Sequence, residues 1–204
     1  MALLLCMTIS ACRQNPATVA SALPDTSCLQ SGDLVYRLGN GFYSAYFQDF
    51  SQREKRFSHT GILIDADNGD SLYVIHAEAD DMTGRGCVRR ERLTEFLRGA
   101  SDFAAYRLRS DSLTRERIAS FALDFHRRQT PFDLSFDAED STAVYCTELV
   151  QYCVNGATGR TVIRPRTSVQ GKNYIAIDDT YLSDEIIPVL SKKPPLNSYH
   201  SPFQ

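Results

Sequence analysis

The sequence predicts an α+β fold built on an antiparallel sheet, and three observations support this. The predicted strands and helices do not alternate regularly, as a parallel, doubly wound sheet would require. Two β-branched, apolar runs flank Asn68 and Gly69, a dipeptide typical of a two-residue hairpin turn. Of the 204 residues, 43% are hydrophobic and 23% are charged, which is the composition of a globular domain. A chain of this length buries a core without disulfides or a structural metal.

The first half of the chain contains most of the predicted strands. Residues 33–38 form the first strand, which ends at a Gly-Asn-Gly turn. Residues 42–50 carry aromatic side chains at helical spacing, so they predict a helix whose aromatic face packs in the core or lines a substrate groove. Residues 60–65 and 72–77 are the hairpin strands, and residues 103–108 are a further strand.

The second half is predicted to contain two helices followed by short strands. Asp111 or Ser112 caps a helix that runs to about His126 with its apolar side chains on one face. Another helix begins near Cys146 and ends at Gly156, a residue suited to the position after a helix. The short predicted strands are residues 161–163, 173–177 and 185–190.

Charge argues against nucleic acid or an anionic membrane surface as a partner. The formal net charge is −3, and the densest basic cluster is predicted to be a solvated face. This cluster consists of Arg85, Arg89, Arg90 and Arg92. Beyond the N-terminus no apolar run approaches the roughly 18 residues of a membrane span.

The N-terminus has the character of an export signal. Residues 1–11 carry no charge, contain three consecutive leucines and end in small residues before Cys12. The segment Ile-Ser-Ala-Cys resembles the bacterial lipobox, whose cysteine is lipidated. We therefore expect a signal at 1–11, a linker at 12–30 and one domain at 31–204, lipid-anchored at the bacterial cell envelope and facing the periplasm or exterior. The alternative is a frayed apolar N-terminus on a cytoplasmic protein.

Four cysteines remain in the expected folded body: Cys28, Cys87, Cys146 and Cys153. None has CxxC spacing, and the chain has only four histidines, so no structural zinc site is expected. Disulfides between these cysteines are compatible with export, but their spacing does not indicate a pairing.

The hairpin brings two histidines to one face of the sheet. A two-residue turn places Gly61 opposite His76 and His59 opposite Glu78, whereas a four-residue turn places His59 opposite His76. Both registers put the two imidazoles on the same face. A general base that is oriented by a second polar side chain needs such a neighbour.

Cys146 is the candidate nucleophile. At the start of its helix, unpaired backbone N–H groups and the helix dipole stabilise a thiolate, and a neighbouring imidazolium would give a reactive ion pair near neutral pH. Asp140 and Ser141 are candidate caps for this helix. The other interpretation is that Cys146 is a small buried hydrophobe, as Cys153 is expected to be.

Several segments together resemble the NlpC/P60 cysteine peptidase superfamily. They are residues 32–35 (Gly-Asp-Leu-Val), 58–64 (Ser-His-Thr-Gly-Ile-Leu-Ile), 74–77 (Val-Ile-His-Ala) and 145–150 (Tyr-Cys-Thr-Glu-Leu-Val). In common members of the superfamily the cysteine precedes the strands, whereas here it follows them. This order resembles the circularly permuted branch, the YaeF/YiiX-type papain-like amidases, which are related to the lecithin retinol acyltransferase group.

The resemblance implies a papain-like fold with the cysteine helix packed against the antiparallel sheet. It implies that Cys146 is the nucleophile, that His59 is the general base and acid, and that His76 orients His59. Glu78 is the alternative orienting residue. The resemblance also implies that Tyr145 helps line the oxyanion site together with the Cys146 backbone N–H.

The expected reaction is amide hydrolysis by a Cys-His-His triad through a thioester, with no metal or organic cofactor. Export and the resemblance together favour murein peptides of the cell wall as substrates. Two alternatives remain: a lipid-directed acyltransferase or phospholipase, whose acyl chain the aromatic side chains of residues 42–50 would hold, and a catalytically inactive peptidoglycan-binding module.

Overall fold

The computed structural model describes residues 25–39, 42–65, 71–80, 82–136, 142–169 and 171–191. Its strands are β1 (Leu34–Leu38), β2 (His59–Asp65), β3 (Leu72–Ala79), β4 (Gly86–Arg92), β5 (Asp102–Leu108), β6 (Thr167–Val169), β7 (Lys172–Tyr174) and β8 (Ile186–Ser191). Its helices are α1 (Phe42–Phe50), α2 (Leu93–Phe96), α3 (Ser112–Arg127) and α4 (Cys146–Thr158), with a 3₁₀ turn at Ile177–Thr180.

Six of the strands form one sheet in the order β4-β3-β2-β1-β5-β8, and every neighbouring pair is antiparallel. The predicted α+β class is therefore confirmed. The other two strands, β6 and β7, form a separate antiparallel pair.

The central strand β2 is apolar on both faces because both faces are buried. Ile62 and Ile64 belong to the main core, which α3 and α4 also contribute to, whereas Leu63 points into a smaller cluster that includes Phe96 of α2. Alternation along a strand sends successive side chains to opposite faces. A continuous apolar run is thus what a strand covered on both sides requires.

The β2–β3 register matches the one expected for a two-residue turn. Asp65 lies opposite Leu72 and Ile62 lies opposite Ile75, although the turn itself, residues 66–70, is outside the described residues. Continuing this register places Gly61 opposite His76. A Cβ on Gly61 would lie 3.0 Å from Cβ of His76, so only glycine leaves room beside this imidazole.

The two long helices begin or end by recognisable local chemistry. As predicted, Asp111 caps α3: its carboxylate accepts a hydrogen bond of 2.8 Å from the Thr114 N–H, which lowers the pKa of Asp111. The predicted end of α4 at Gly156 is wrong. The helix continues to Thr158, and Gly159 takes the left-handed conformation, with φ of 67°, that follows many helices.

Residues 86–96 contain two elements that the sequence did not predict, strand β4 and helix α2. The expected basic face exists here, since Arg85, Arg89, Arg90 and Arg92 are all exposed, but three of these arginines lie within a strand. Two of them also stack on the Tyr73 ring of the neighbouring strand β3. Their charged side chains obscured the strand pattern.

The segment after α4 differs most from its prediction. Residues 161–163 form no strand, because the N–H groups of Val162 and Ile163 donate to Oδ1 of Asn155 at 2.9 and 3.0 Å. A helix side chain thus replaces the expected strand partner. The strand predicted at 173–177 ends at Tyr174. The last predicted strand is confirmed as β8.

Within the described ranges, no helix is long and apolar enough to cross a membrane. The predicted signal at 1–11, Cys12 and most of the linker lie outside the described residues. The four cysteines of the described chain, at 28, 87, 146 and 153, are all free thiols.

Candidate active site

A cavity of about 440 Å³ opens where the start of α4 meets strands β2 and β3. Its wall contains Cys146, His59 and Glu78, three of the predicted site residues. The cavity therefore brings together the cysteine and the histidine that are separated by 87 positions in the chain.

Cys146 is the first residue of α4, and hydrogen bonds fasten this end of the helix. The Tyr145 N–H donates to the Glu148 carboxylate at 3.0 Å, and the Thr147 hydroxyl donates to the Ile175 carbonyl at 2.7 Å. The expected caps at positions 140 and 141 are outside the described residues, and Tyr145 occupies the cap position instead. The Cys146 side chain is buried at 1% exposure yet forms part of the cavity wall.

His59, in the cavity wall, forms a hydrogen-bonded pair with His76, which does not line the cavity. Nε2 of His59 lies 2.8 Å from Nδ1 of His76, with the two rings nearly perpendicular at 84°. The Phe96 ring packs against both imidazoles, at centroid distances of 5.7 and 5.2 Å. Because Nε2 of His59 is used by His76, Nδ1 is the nitrogen that remains to accept a proton from a nucleophile.

Glu78, the alternative orienting residue, has other partners. Its carboxylate forms ion pairs with Arg37, at 2.6 Å, and with Arg89. Arg37 lies directly opposite His59 across the β1–β2 pair and also donates to the Phe96 carbonyl at 2.7 Å. The structure therefore places His76, and not Glu78, on the ring nitrogen of His59.

The Tyr145 side chain is not where the oxyanion prediction expected it. Its hydroxyl accepts a hydrogen bond of 3.0 Å from the Ile175 N–H, and its ring lines a small neighbouring apolar cavity with Phe136. Tyr145 thus anchors the segment after β7, and its side chain does not contribute to the main cavity. The Cys146 backbone N–H remains as a candidate oxyanion donor.

Burial sets the protonation of the cysteine and histidine. Burial raises the pKa of the Cys146 thiol to about 12, although the backbone N–H groups of Thr60, Thr147 and Cys146 itself act in the opposite direction. Burial also lowers the pKa of His59 well below its ordinary value, and the positive charge of Arg37 adds to this effect. These shifts favour a neutral thiol and a neutral imidazole at rest over the ion pair that was expected near neutral pH.

Aromatic and aliphatic side chains from two segments also line the cavity. Tyr46 and Phe47 come from α1, and Phe132, Leu134 and Phe136 come from the segment before α4. The aromatic face of this helix was expected either to pack in the core or to line a substrate groove. The structure shows that Tyr46 and Phe47 line the cavity. The second segment was missed, although its alternating apolar positions 132, 134 and 136 were a visible signal.

The position of α1 depends on a buried carboxylate. Oδ2 of Asp178 accepts hydrogen bonds from the consecutive N–H groups of Gln52, Arg53 and Glu54, at 3.1, 2.7 and 3.3 Å. These contacts hold the chain that follows α1 against the 3₁₀ turn. The aromatic residues of α1 in the cavity wall are thereby held in place by the 3₁₀ turn, which lies more than 120 residues later in the chain.

A helix that begins with a cysteine and packs against an antiparallel sheet that carries a histidine is the arrangement of papain-like cysteine hydrolases. The chain belongs to the family described as permuted papain-like amidase enzyme, YaeF/YiiX, C92 family, which it matches over residues 28–180. The resemblance inferred from the strand and cysteine motifs is thus confirmed, together with the permuted order.

The fold also matches a solved structure. The crystal structure of metalloprotein YiiX from Escherichia coli O157:H7 superposes with a TM-score of 0.66 at 17% sequence identity, covering 81% of this chain and 98% of YiiX. At this identity the likeness concerns the fold. No curated protein matches the chain in sequence.

Proposed function

We propose that this hydrolase cleaves amide bonds in cell-wall peptides, with Cys146 as nucleophile, His59 as general base and acid, and His76 as the residue that orients His59. The observation that carries the proposal is the single cavity in which Cys146 and His59 meet while His76 holds the far nitrogen of His59. Nucleophile, base and orienting group are the three parts that thiol catalysis requires.

The protonation states determine the first step of the reaction. Because thiol and imidazole are both neutral at rest, Nδ1 of His59 takes the Cys146 proton as the sulfur attacks the amide carbonyl. The backbone N–H at the start of α4 stabilises the developing oxyanion. His59 then protonates the leaving amine, and a thioester with Cys146 remains. Water hydrolyses this thioester with His59 as base, which releases the acid and restores the thiol.

Charge in the cavity supports a peptide substrate with carboxylates. Arg98 lies in its wall with an exposed side chain that pairs only with the neighbouring surface residue Glu95 among the described residues, and guanidinium groups bind carboxylates with two parallel hydrogen bonds. Arg37, also in the wall, is already paired with Glu78. Peptide stems of murein carry several carboxylates. The predicted export signal supports the same substrate class, because it would bring the enzyme to the cell wall.

The apolar wall supports a second candidate, a lipid-directed acyltransferase or phospholipase. Tyr46 is 48% exposed and Leu134 is 56% exposed at the cavity, and large exposed hydrophobics beside a nucleophile suit an acyl chain. The same cysteine and histidine chemistry would then act on an ester carbonyl.

A metal centre fits these residues poorly, although YiiX, the protein of similar fold, is described as a metalloprotein. Ligand atoms of His59, His76 and Glu78 lie within 4.8 Å of one another. However, the facing histidine nitrogens are used in their mutual hydrogen bond, and Glu78 is paired with two arginines whose charge opposes a cation. The proposed reaction therefore has no metal-dependent step.

The decisive experiment offers both substrate classes to the full chain. Muropeptides from digested sacculi are analysed by liquid chromatography and mass spectrometry, and phosphatidylcholine vesicles are analysed by thin-layer chromatography. New amino groups in the muropeptides, absent with Cys146→Ala and present with Cys153→Ala, would support the proposal. Lysophospholipid formed with the same dependence would favour the second candidate. No product from either substrate would contradict both and favour a binding module.

We also propose that the protein is tethered to the cell envelope by a lipid on Cys12. The support is the uncharged apolar segment before this cysteine and its resemblance to a lipobox. Metabolic labelling with a radioactive fatty acid in a bacterial host tests it: labelled protein in the membrane fraction is expected, and label should disappear in Cys12→Ala. Equal labelling of both proteins would contradict the anchor.

A further inference from the structure

Strand β4 places a carboxylate behind the histidine pair. Oε1 of Glu91 lies 2.9 Å from Nε2 of His76, and His76 is fully buried. This carboxylate oxygen is itself buried, and within the described part of the chain no donor, His76 included, is aligned with it for a hydrogen bond. Because buried carboxylate oxygens need donors, the His76 ring nitrogen, at 2.9 Å, is the group placed to become its donor.

The positions of the ring hydrogens follow from this contact. A neutral imidazole carries hydrogen on one nitrogen only. If Nε2 of His76 donates to Glu91, then Nδ1 of His76 is an acceptor. His59 must consequently donate from Nε2 across the 2.8 Å contact, which leaves Nδ1 of His59 without hydrogen. That is the state in which His59 can take the proton of Cys146.

Arg89 is the competing neighbour of His76. Its Nε lies 3.3 Å from Nε2 of His76, and its terminal nitrogen lies 3.1 Å from Oε2 of Glu91. If Arg89 donated to His76, the hydrogen of His76 would move to Nδ1, and His59 would carry its own hydrogen on the nitrogen that faces the nucleophile. The Arg89 contact has the geometry of a hydrogen bond, whereas the Glu91 contact is shorter but not aligned. The charge of the carboxylate and the need of its buried oxygen for a donor favour Glu91 as the partner of His76.

Electrostatics agrees with this arrangement. Burial alone would raise the pKa of Glu91, but the hydrogen bond from His76 and the charge of Arg89 lower it, so Glu91 is an ionised acceptor. Burial lowers the pKa of His76 although the hydrogen bond to Glu91 opposes this, so the imidazole stays neutral. A neutral His76 beside an ionised Glu91 is the state that the proton positions require.

We infer that Glu91 is a positioning residue that selects the tautomer of His76 and, through it, of His59, so that Nδ1 of His59 is free to accept the thiol proton. The inference rests on the proposed function for its consequence in catalysis. The tautomers themselves belong to the resting protein and need no substrate.

Nitrogen-15 NMR of the full, uniformly labelled chain tests the tautomers directly. Both histidines are expected to show a protonated Nε2 and a bare Nδ1 at pH 7. In Glu91→Ala we expect His76 and His59 to shift hydrogen to Nδ1. The matched control is Asp124→Ala, which removes an exposed carboxylate of α3 that pairs with Arg128. It should leave the tautomers of both histidines unchanged. A bare Nε2 on His76 in the unsubstituted chain would overturn the inference.

Hydrolysis of p-nitrophenyl acetate supplies the catalytic readout. Glu91→Ala should lower kcat about 10- to 100-fold with KM nearly unchanged, because the base is present in the wrong tautomer. Glu91→Gln keeps an acceptor oxygen at the same distance from the backbone, so it should retain the original tautomers and most of kcat. This variant also tests the inference if Glu91→Ala fails to fold. Unchanged ring signals and unchanged kcat in Glu91→Ala would overturn the inference. If the NMR spectra show the expected tautomers but the chain hydrolyses none of the substrates, the proposed function would be contradicted and the inference about Glu91 would stand.

Discussion

Helix α4 carries two buried cysteines, one at its N-terminal end and one near its middle, and they differ in what surrounds the sulfur. Cys146 stands at the first position, beside the backbone N–H groups of Thr60 and Thr147 and in the wall of the cavity. Cys153 stands two turns later in the apolar core. Burial raises the pKa of both thiols. The two cysteines therefore share the same helix and are both buried. Only Cys146, at the N-terminal end, is accessible to a ligand and shares a cavity with an imidazole.

This difference shows that burial does not by itself make a cysteine structural. Around Cys153, burial serves packing between α4, α3 and the sheet. At the N-terminal end, burial leaves the sulfur reachable only through the cavity, while the helix start supplies hydrogen-bond donors. Chemistry should therefore be confined to one end of the helix, and substitutions of the two cysteines should have different effects.

Replacing each cysteine by alanine should give the largest contrast. Cys146→Ala is expected to lower hydrolysis of p-nitrophenyl acetate by about 10⁴-fold or more, since it removes the group that forms the thioester. Cys153→Ala should retain activity and lose about 1–2 kcal/mol of unfolding free energy, because it leaves a small cavity in the core. Initial rates and urea denaturation measure the two effects. Comparable activity in both variants would remove the distinction between the two cysteines.

The histidine pair should show a graded contrast. His59→Ala is expected to lower kcat about 10³-fold or more because proton transfer is lost, and His76→Ala about 10- to 100-fold because only orientation is lost. His126→Ala is the control: this histidine lies on α3, where Nδ1 is 3.3 Å from the Val88 carbonyl, outside the cavity wall. An equal loss in His59→Ala and His126→Ala would point to destabilisation and not to chemistry.

Alkylation by iodoacetamide separates three cysteines in one protein. A raised thiol pKa reduces the thiolate fraction at neutral pH, so Cys146 should react more slowly than exposed Cys28 at pH 7 and should accelerate as pH rises above 9. Cys153 should stay unmodified while the chain is folded. Peptide mapping by mass spectrometry gives the rate at each site. Faster reaction at Cys146 than at Cys28 below pH 7 would restore the ion-pair interpretation.

Local chemistry explains what could be predicted from the sequence. Alternation in β2 and β3 is strictly two-residue, so the shared face of His59 and His76 followed from the hairpin whichever even turn was used. The start of α4 at Cys146 and the Asp111 cap likewise depend on neighbours within a few positions. Such features are encoded over short stretches of chain.

The features that were missed depend on partners far away in the sequence. Val162 and Ile163 bond to the Asn155 side chain in place of a strand, and Glu91 lies in a strand whose charges obscure its pattern. The pKa of Cys146 is raised because tertiary packing buries it, which no local motif records. Packing, and not propensity, decides these points.

A glycine in the last turn of α4, beyond Cys153, gives the smallest expected effect. Gly156 lies inside α4, and a Cβ there would be 3.1 Å from the Phe121 ring of α3. Alanine gains about 0.5–1 kcal/mol over glycine within a helix, but here it must displace that ring, so Gly156→Ala should be nearly neutral or slightly destabilising. In a Phe121→Ala background the obstacle is absent, and the same change should stabilise the protein. Urea denaturation of the four proteins in this cycle measures the coupling, and kcat should be the same in all of them, because this end of α4 contributes packing and no chemistry.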